Sequence, residues 1–202
     1  QEKVLLQLRK MAAGGIYDHL GGGFHRYSVD GQWLIPHFEK MLYDNAQLVR
    51  IYLDGWRLTK EARFRQVVEE TLDWMRRELS HADGAFFAAQ DADSEGEEGR
   101  FFVWDPAEIH AVLGQELGET FCRAYGVTDS GNFEGKTVLN RLADAGSSVE
   151  VLEQMEVSLR PARKKLLSAR ERRVKPQRDE NILTSWNALA VSAFLDAYQT
   201  FG

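Results

Sequence analysis

Cysteine is nearly absent. Cys122 is the one thiol in 202 residues, which excludes an internal disulfide, a cysteine zinc centre and a Cys-x-x-Cys redox pair. A lone cysteine suits a reducing compartment, so a cytoplasmic location is expected. Long hydrophobic runs are also missing: no stretch approaches the ~18 apolar residues of a membrane-spanning helix. No secretory leader opens the sequence, and its first residues, Gln1-Glu2-Lys3, read as the interior of a helix in a longer protein. Positive charge is in deficit, with 25 Lys and Arg against 31 Asp and Glu and a net charge of -6. That balance argues against nucleic acid and anionic membrane as partners. Nucleotide fingerprints are lacking too, since Gly21-Gly22-Gly23 has neither the Lys-Ser/Thr of a phosphate loop nor dinucleotide-fold spacing. The run from Asp91 begins like a calcium loop, but Phe102 stands where the twelfth ligand should be. Neither a metal nor a cofactor is expected.

What is present is ordinary globular composition, 44% hydrophobic and 28% charged, so residues 1–202 are expected to form a single domain. Helical periodicity dominates. Val4, Leu5, Leu8, Met11 and Ala12 mark a first helix that weakens at Gly14-Gly15. Leu42, Leu48, Val49, Tyr52, Leu53 and Trp56 predict a helix over 40–58, and Phe64, Val67, Val68, Leu72, Trp74 and Met75 another over 61–79. Asp105-Pro106 is a helix start, with the acid as cap and proline in the first turn. Further helices are expected over 147–169 and 183–201. Between them lie decorated loops. One is an irregular hairpin over 21–36; another is formed by two short strands at 85–88 and 100–104 that bracket the acidic run 90–99. Unusually long loops in a compact domain tend to be functional. The expected fold class is all-α, built of helical hairpins with short β-hairpins in the loops.

The density of polar and ring-bearing residues in the first loop points to a site. His25, Arg26 and Tyr27 follow the three glycines, and Trp33 leads into His37, Glu39, Tyr43, Asp44 and Asn45. A histidine near neutral pKa can pass protons either way, so His37 and His25 are candidate acid–base groups, with Glu39 and Asp44 assisting. The structural alternative has His37 and Glu39 capping the following helix and Arg26 paired to Asp30. Asp91 and Asp93 lie near the base of the acidic hairpin and are candidates for paired-carboxylate chemistry; Glu97 and Glu98 read as a solvated tip. Arg26, Tyr27, Tyr43, Asn45 and Asn187 are candidate hydroxyl binders. Trp33, Trp104 and Trp186 sit beside polar motifs and could offer flat platforms to a sugar, or serve as core. Trp56 and Trp74 lie on helical stripes and read as core; His81 and His110 read as surface. The basic run over 160–178 reads as a solvated helix face rather than an RNA site.

Four segments together resemble the YyaL-like proteins, a family that includes the spermatogenesis-associated thioredoxin-like proteins. They are Gly14 through Asn45, Asp91 through Gly99, Gly131-Asn132-Phe133-Glu134-Gly135-Lys136, and Leu183-Thr184-Ser185-Trp186-Asn187-Ala188-Leu189. The resemblance implies an (α/α)6 toroid of the six-hairpin glycosidase type, also the fold of N-acylglucosamine 2-epimerases, of which this chain would be about the first half. The family's thioredoxin-like domain is absent from this sequence. One departure stands before the last segment, where the family usually carries Asp-Asp-Lys and this chain has Asp179-Glu180-Asn181. The resemblance implies a small-molecule ligand of saccharide type and an epimerase or isomerase activity. A glycoside hydrolase using paired carboxylates and a non-catalytic binding module remain as alternatives. A half ring would also leave apolar flanks, for which a homodimer contact is expected.

Overall fold

The computed structural model describes residues 1–144 and 149–202. Among them are seven α-helices: α1 (Glu2–Ala13), α2 (Leu42–Thr59), α3 (Ala62–Glu78), α4 (Pro106–Leu113), α5 (Gln115–Ala124), α6 (Val149–Arg170) and α7 (Thr184–Phe201). Each expected helix is present within a few residues; the expected start at Ser147 lies outside the described residues. The Asp105 side chain accepts from the Glu108 N–H while Glu108 reaches back to the Asp105 N–H, a reciprocal cap that starts α4 directly before Pro106.

The helices bury their apolar stripes in two main cores. Leu8, Leu42, Val49, Tyr52, Leu53, Phe64, Val68, Trp74 and Ala193 unite α1, α2, α3 and α7, with α2 packed between α3 and α7. A second core joins α4, α5 and α6 through Ile109, Phe121, Tyr125, Leu159 and Leu166. A smaller cluster of Phe38, Ala92, Phe101, Phe102, Val103 and Val138 lies in the loops. The outward face of α7 carries Val191, Leu195 and Tyr198, which are 54%, 54% and 72% exposed. No described helix is long and apolar enough to cross a membrane.

Among the described residues seven short strands, all in antiparallel pairs, tie the loops together. β1 (Tyr27–Ser28) pairs with β2 (Pro36–His37); β3 (Lys40–Met41), β4 (Ala89–Gln90) and β7 (Arg178–Asp179) form one sheet in that order; β5 (Asp93–Ser94) pairs with β6 (Glu97–Glu98). The expected strands at 85–88 and 100–104 are not there. The hairpin forms inside the acidic run instead, and Phe101, Phe102, Val103 and Trp104 are all buried in succession rather than alternately. A strand buried on one face would show alternation; this segment turns between two cores and supports only an isolated bridge, Trp104 to Thr137.

The triple glycine is required by packing. Gly22 has φ +75, and a Cβ there would lie 2.2 Å from the Glu70 carbonyl oxygen on α3. Gly22→Ala is expected to cost about 3 kcal/mol or more, from the left-handed backbone and the clash together. A urea midpoint shifted by less than that of a surface substitution would contradict the packing described.

Candidate functional site

The segment from Pro36 to Met41 alternates between two environments, and that alternation builds the site. Phe38 and Lys40 point inward and are fully buried, whereas His37 and Glu39 keep partial exposure. Lys40 Nζ donates to Asp18 Oδ2 at 2.7 Å and to the Gly22 carbonyl at 2.8 Å. Arg170, from the end of α6, grips the same carboxylate with both Nη atoms, each at 2.8 Å. Asp18 Oδ1 also accepts the Leu20 and Gly21 N–H groups. One carboxylate thus holds the glycine loop, the β3 strand and α6 in a common place. Burial would raise the Asp18 pKa, but Arg170 and Lys40 outweigh it and hold the acid well below the usual carboxylate range. Burial pulls Lys40 down to about 8, with Arg170 adding to the fall and Asp18 opposing it. The ammonium also lies 5.2 Å from the Trp74 ring and 5.1 Å from that of Phe102, a favourable setting for a desolvated cation.

The outward layer is centred on His37. Its Nδ1 lies 2.6 Å from Glu98 Oε1 and its Nε2 lies 3.8 Å from Glu39 Oε2, and the side chain is 28% exposed. The Tyr27 ring stacks on the imidazole at 5.0 Å, a consequence of the register that sets Tyr27 opposite His37. Arg26 Nη1 donates to Glu39 Oε2 at 2.8 Å. When neutral, His37 donates its Nδ1–H to the Glu98 carboxylate and keeps a lone pair on Nε2, on the Glu39 side. The arrangement can take up a proton at Nε2 and hold the resulting imidazolium between two carboxylates. Asp93 sits opposite Glu98 in the β5–β6 register. Asp91 follows Gln90, the partner of Lys40, and is exposed. Tyr43 and Trp186 meet at 4.7 Å between the starts of α2 and α7. Asp44 beside them is half-buried, and burial raises its pKa against the pull of Arg26. No group of three or more His, Cys, Asp or Glu among the described residues is disposed to hold a metal ion.

Several candidates land elsewhere. His25 is 3% exposed, with Nδ1 on the Phe38 carbonyl at 2.8 Å and its ring against Phe38 and Phe102. Burial lowers its pKa to about 3, so at neutral pH it is an uncharged interior group, beneath the face rather than on it. Asn45 is fully buried and clamps the Phe24 N–H and carbonyl and the Met41 carbonyl. Trp104 is 2% exposed, in the second core with Arg173 over its ring at 4.0 Å, so it offers no platform. Trp33 is half-buried against the first core at φ +65. Asn187 spends its amide on the Phe86 backbone and on the Leu183 carbonyl. Neither His37 nor Glu39 caps α2, whose N-cap is Met41. Arg26 pairs with Glu39, while Asp30 accepts the Gln32, Leu34 and Ile35 N–H groups within its own turn. His81 and His110 are half-buried rather than on the open surface.

Sequence reasoning passed over Asp18 and Lys40 as site residues, and it places Arg163 and Arg170 on a solvated face. Arg163 is 7% exposed and binds Glu70 on α3 at 2.7 and 2.8 Å, Glu156, and the His19 carbonyl at 2.7 Å. A signal was available. Leu159, Ala162, Arg163, Leu166 and Arg170 share the i, i+3, i+4, i+7 and i+11 stripe of α6, and an arginine on an apolar stripe must find a buried partner.

No family model matches the chain. Spermatogenesis-associated protein 20 of Homo sapiens is 37% identical over 224 residues, which is 96% of this chain and 28% of that protein. The Rattus norvegicus protein of the same name is 36% identical over 232 residues, all of this chain and 29% of its own length. An uncharacterized Caenorhabditis elegans protein is 37% identical over 95% of this chain and 30% of itself. The chain therefore spans less than a third of the length of these curated relatives.

Proposed function

We propose, from homology over nearly the whole chain that supports the family of spermatogenesis-associated protein 20, that this domain is part of a helical toroid binding a saccharide, with His37 as its proton-transfer group. The reading is of an epimerase or isomerase, in which a base takes a proton from a carbon next to a carbonyl and an acid returns one. The observation that carries it is the placement of His37. It is partly exposed, stacked on Tyr27, fixed at Nδ1 by Glu98, and free to accept at Nε2 on the Glu39 side. A ring held in one orientation by a carboxylate on its far nitrogen is the usual preparation of a catalytic base. Arg26, Tyr27, Tyr43 and Trp186 would supply a cation and aromatic faces suited to sugar hydroxyls and ring carbons, with Asp44 near Arg26, Asp93 opposite Glu98 in its hairpin, and Asp91 two residues before Asp93 as further candidate carboxylates. Alternating packing of α2, α3 and α7 is consistent with helical hairpins of a toroid.

The test is a thermal-shift and turnover screen of the protein and His37→Ala against mono- and disaccharides. A sugar that raises the parent's melting temperature by several degrees should lose that effect, and any turnover, in the variant. His37 is partly exposed, with Glu98, Glu39 and Tyr27 as its neighbours, so His37→Ala should itself melt close to the parent. A sugar that stabilises both equally and is never converted would favour the binding-module reading; no response with both folded would remove the saccharide reading.

A further inference from the structure

The last helix is apolar on two sides. Its inward stripe puts Ala190, Ala193 and Ala197 in the first core, with Trp186, Leu189, Phe194 and Phe201 packed against that core. Asp196 and Thr200 mark the side that meets α2. Arg50 Nε donates to the Asp196 carboxylate at 2.8 Å, and Arg57 Nη2 donates to the Thr200 hydroxyl at 2.7 Å. Across the helix from them runs a second stripe. Thr184, Ala188, Val191, Leu195 and Tyr198 are all exposed and follow one another at alternating intervals of four and three residues, the spacing of a helix–helix seam. Among the described residues no other helix lines up three large exposed apolar side chains at that spacing. The seam holds no charge, since Asp196 is the one charged residue of α7. A helix that is apolar all round belongs between neighbours on both sides.

We propose that this stripe is a self-contact, through which two copies of the chain join α7 to α7, antiparallel about a two-fold axis. Charge selects the occupant. Nucleic acid or an anionic membrane needs cations, and α7 has no Lys or Arg. A second copy brings the same net charge of -6, so it is repelled except where the meeting faces carry no unpaired charge. Here the lone acid, Asp196, is already paired to Arg50. Shape selects the direction. With the axis midway between Val191 and Leu195, an antiparallel pair sets Val191 of each copy against Leu195 of the other, and Ala188 against Tyr198. Each layer then joins a smaller side chain to a larger one. A parallel pair would instead set Tyr198 against Tyr198 and Ala188 against Ala188. The stripe is therefore complementary to itself, as a two-fold contact requires. One helix from each copy is a small contact, so the dimer is reversible and depends on concentration.

Sedimentation velocity of the 202-residue chain over a dilution series tests this. The expected result is a reversible rise toward twice the 23.0 kDa of one chain as concentration increases. Leu195→Glu and Val191→Lys both fall at exposed positions, so each should keep the parent's far-ultraviolet spectrum. Each should sediment as a monomer, because a dimer of either would bury two like charges beside the axis. Mixing the two variants should restore the dimer, since the antiparallel register sets the introduced glutamate of one opposite the introduced lysine of the other. A parent that stays monomeric at every concentration overturns the proposal and leaves the stripe to another segment or another protein. A dimer that survives Leu195→Glu places the contact elsewhere and also overturns it. Folded variants that do not recombine overturn the antiparallel register.

Discussion

Asp18→Ala should lower the unfolding free energy by about 3–5 kcal/mol, the range seen when one partner of a buried ion pair is removed. The wild-type carboxylate receives five hydrogen bonds, from Arg170 twice, Lys40, and the Leu20 and Gly21 N–H groups. Its removal leaves an ammonium that is fully buried and a guanidinium that is 2% exposed, with no anion between them. Lys40 can shed its proton, because burial has already brought its pKa to about 8; Arg170 cannot. Arg170→Ala should therefore be milder, since Lys40 still neutralises Asp18, and Asp18→Ala combined with Arg170→Met should recover part of the loss. Urea unfolding of the four proteins measures this. A loss below about 1 kcal/mol for Asp18→Ala would mean that water reaches the cluster, and would remove Asp18 as the junction of loop, strand and helix.

Acid should destabilise the domain well before its carboxylates titrate. His19 and His25 are both buried as neutral rings. Burial is the main cause in each case; Lys40 and Arg170 oppose a further positive charge at His25, and Arg63, Arg163 and Arg141 do so at His19. Asp18 favours the charged form of His25 but is outweighed. Both folded-state pKa values lie below the ordinary 6.5, His25 at about 3 and His19 well under the reference. The unfolded chain therefore binds these two protons first as pH falls. The stability they contribute is complete above pH 6.5 and is lost on the way down toward pH 3. A ring that stays neutral gives a slope of about 1.4 kcal/mol per pH unit, so His25 alone gives roughly 2–3 kcal/mol between pH 6.5 and 4.5, and His19 adds to it in the same direction. That is a sizeable fraction of the whole stability of many domains. Denaturant melts at half-unit intervals should show the decline, and His25→Gln should reduce its slope. A flat profile between pH 6.5 and 5 would show that neither ring stays neutral in the folded protein.

The two layers of the site differed in how far they could be read beforehand. His37, Glu39, Arg26, Tyr27 and Tyr43 stood out as a dense polar run beside glycines, and the β1–β2 and β3–β4 pairings bring His37, Tyr27, Arg26 and Glu39 onto one face. In the sequence Glu98 reads as a solvated tip, yet the β5–β6 turn carries it back onto His37 at 2.6 Å. His25 and Asn45 belong to the same run by composition, but strand alternation and the glycine turn send them inward. Polarity in a loop signals that hydrogen bonds are made there; it does not say whether their partner is a ligand or the backbone of the next segment.

By itself the sequence determined the helices, because the 3.6-residue recurrence of apolar side chains, the Asp105-Pro106 cap and the breaking glycines act over a few residues at a time. It also determined the classes of chemistry excluded by one cysteine and a net charge of -6. The tertiary structure alone decided that residues 18, 40 and 170 share one buried charge cluster, and that residues 101–104 turn between cores rather than extend as a strand. It also put His37 between carboxylates contributed 59 residues apart in the chain. The physical reason is common to all three. Such contacts form only when distant segments are brought together by burial of the cores, and the cost of leaving a charge or a hydrogen-bonding group unpaired there then selects which polar residues must meet.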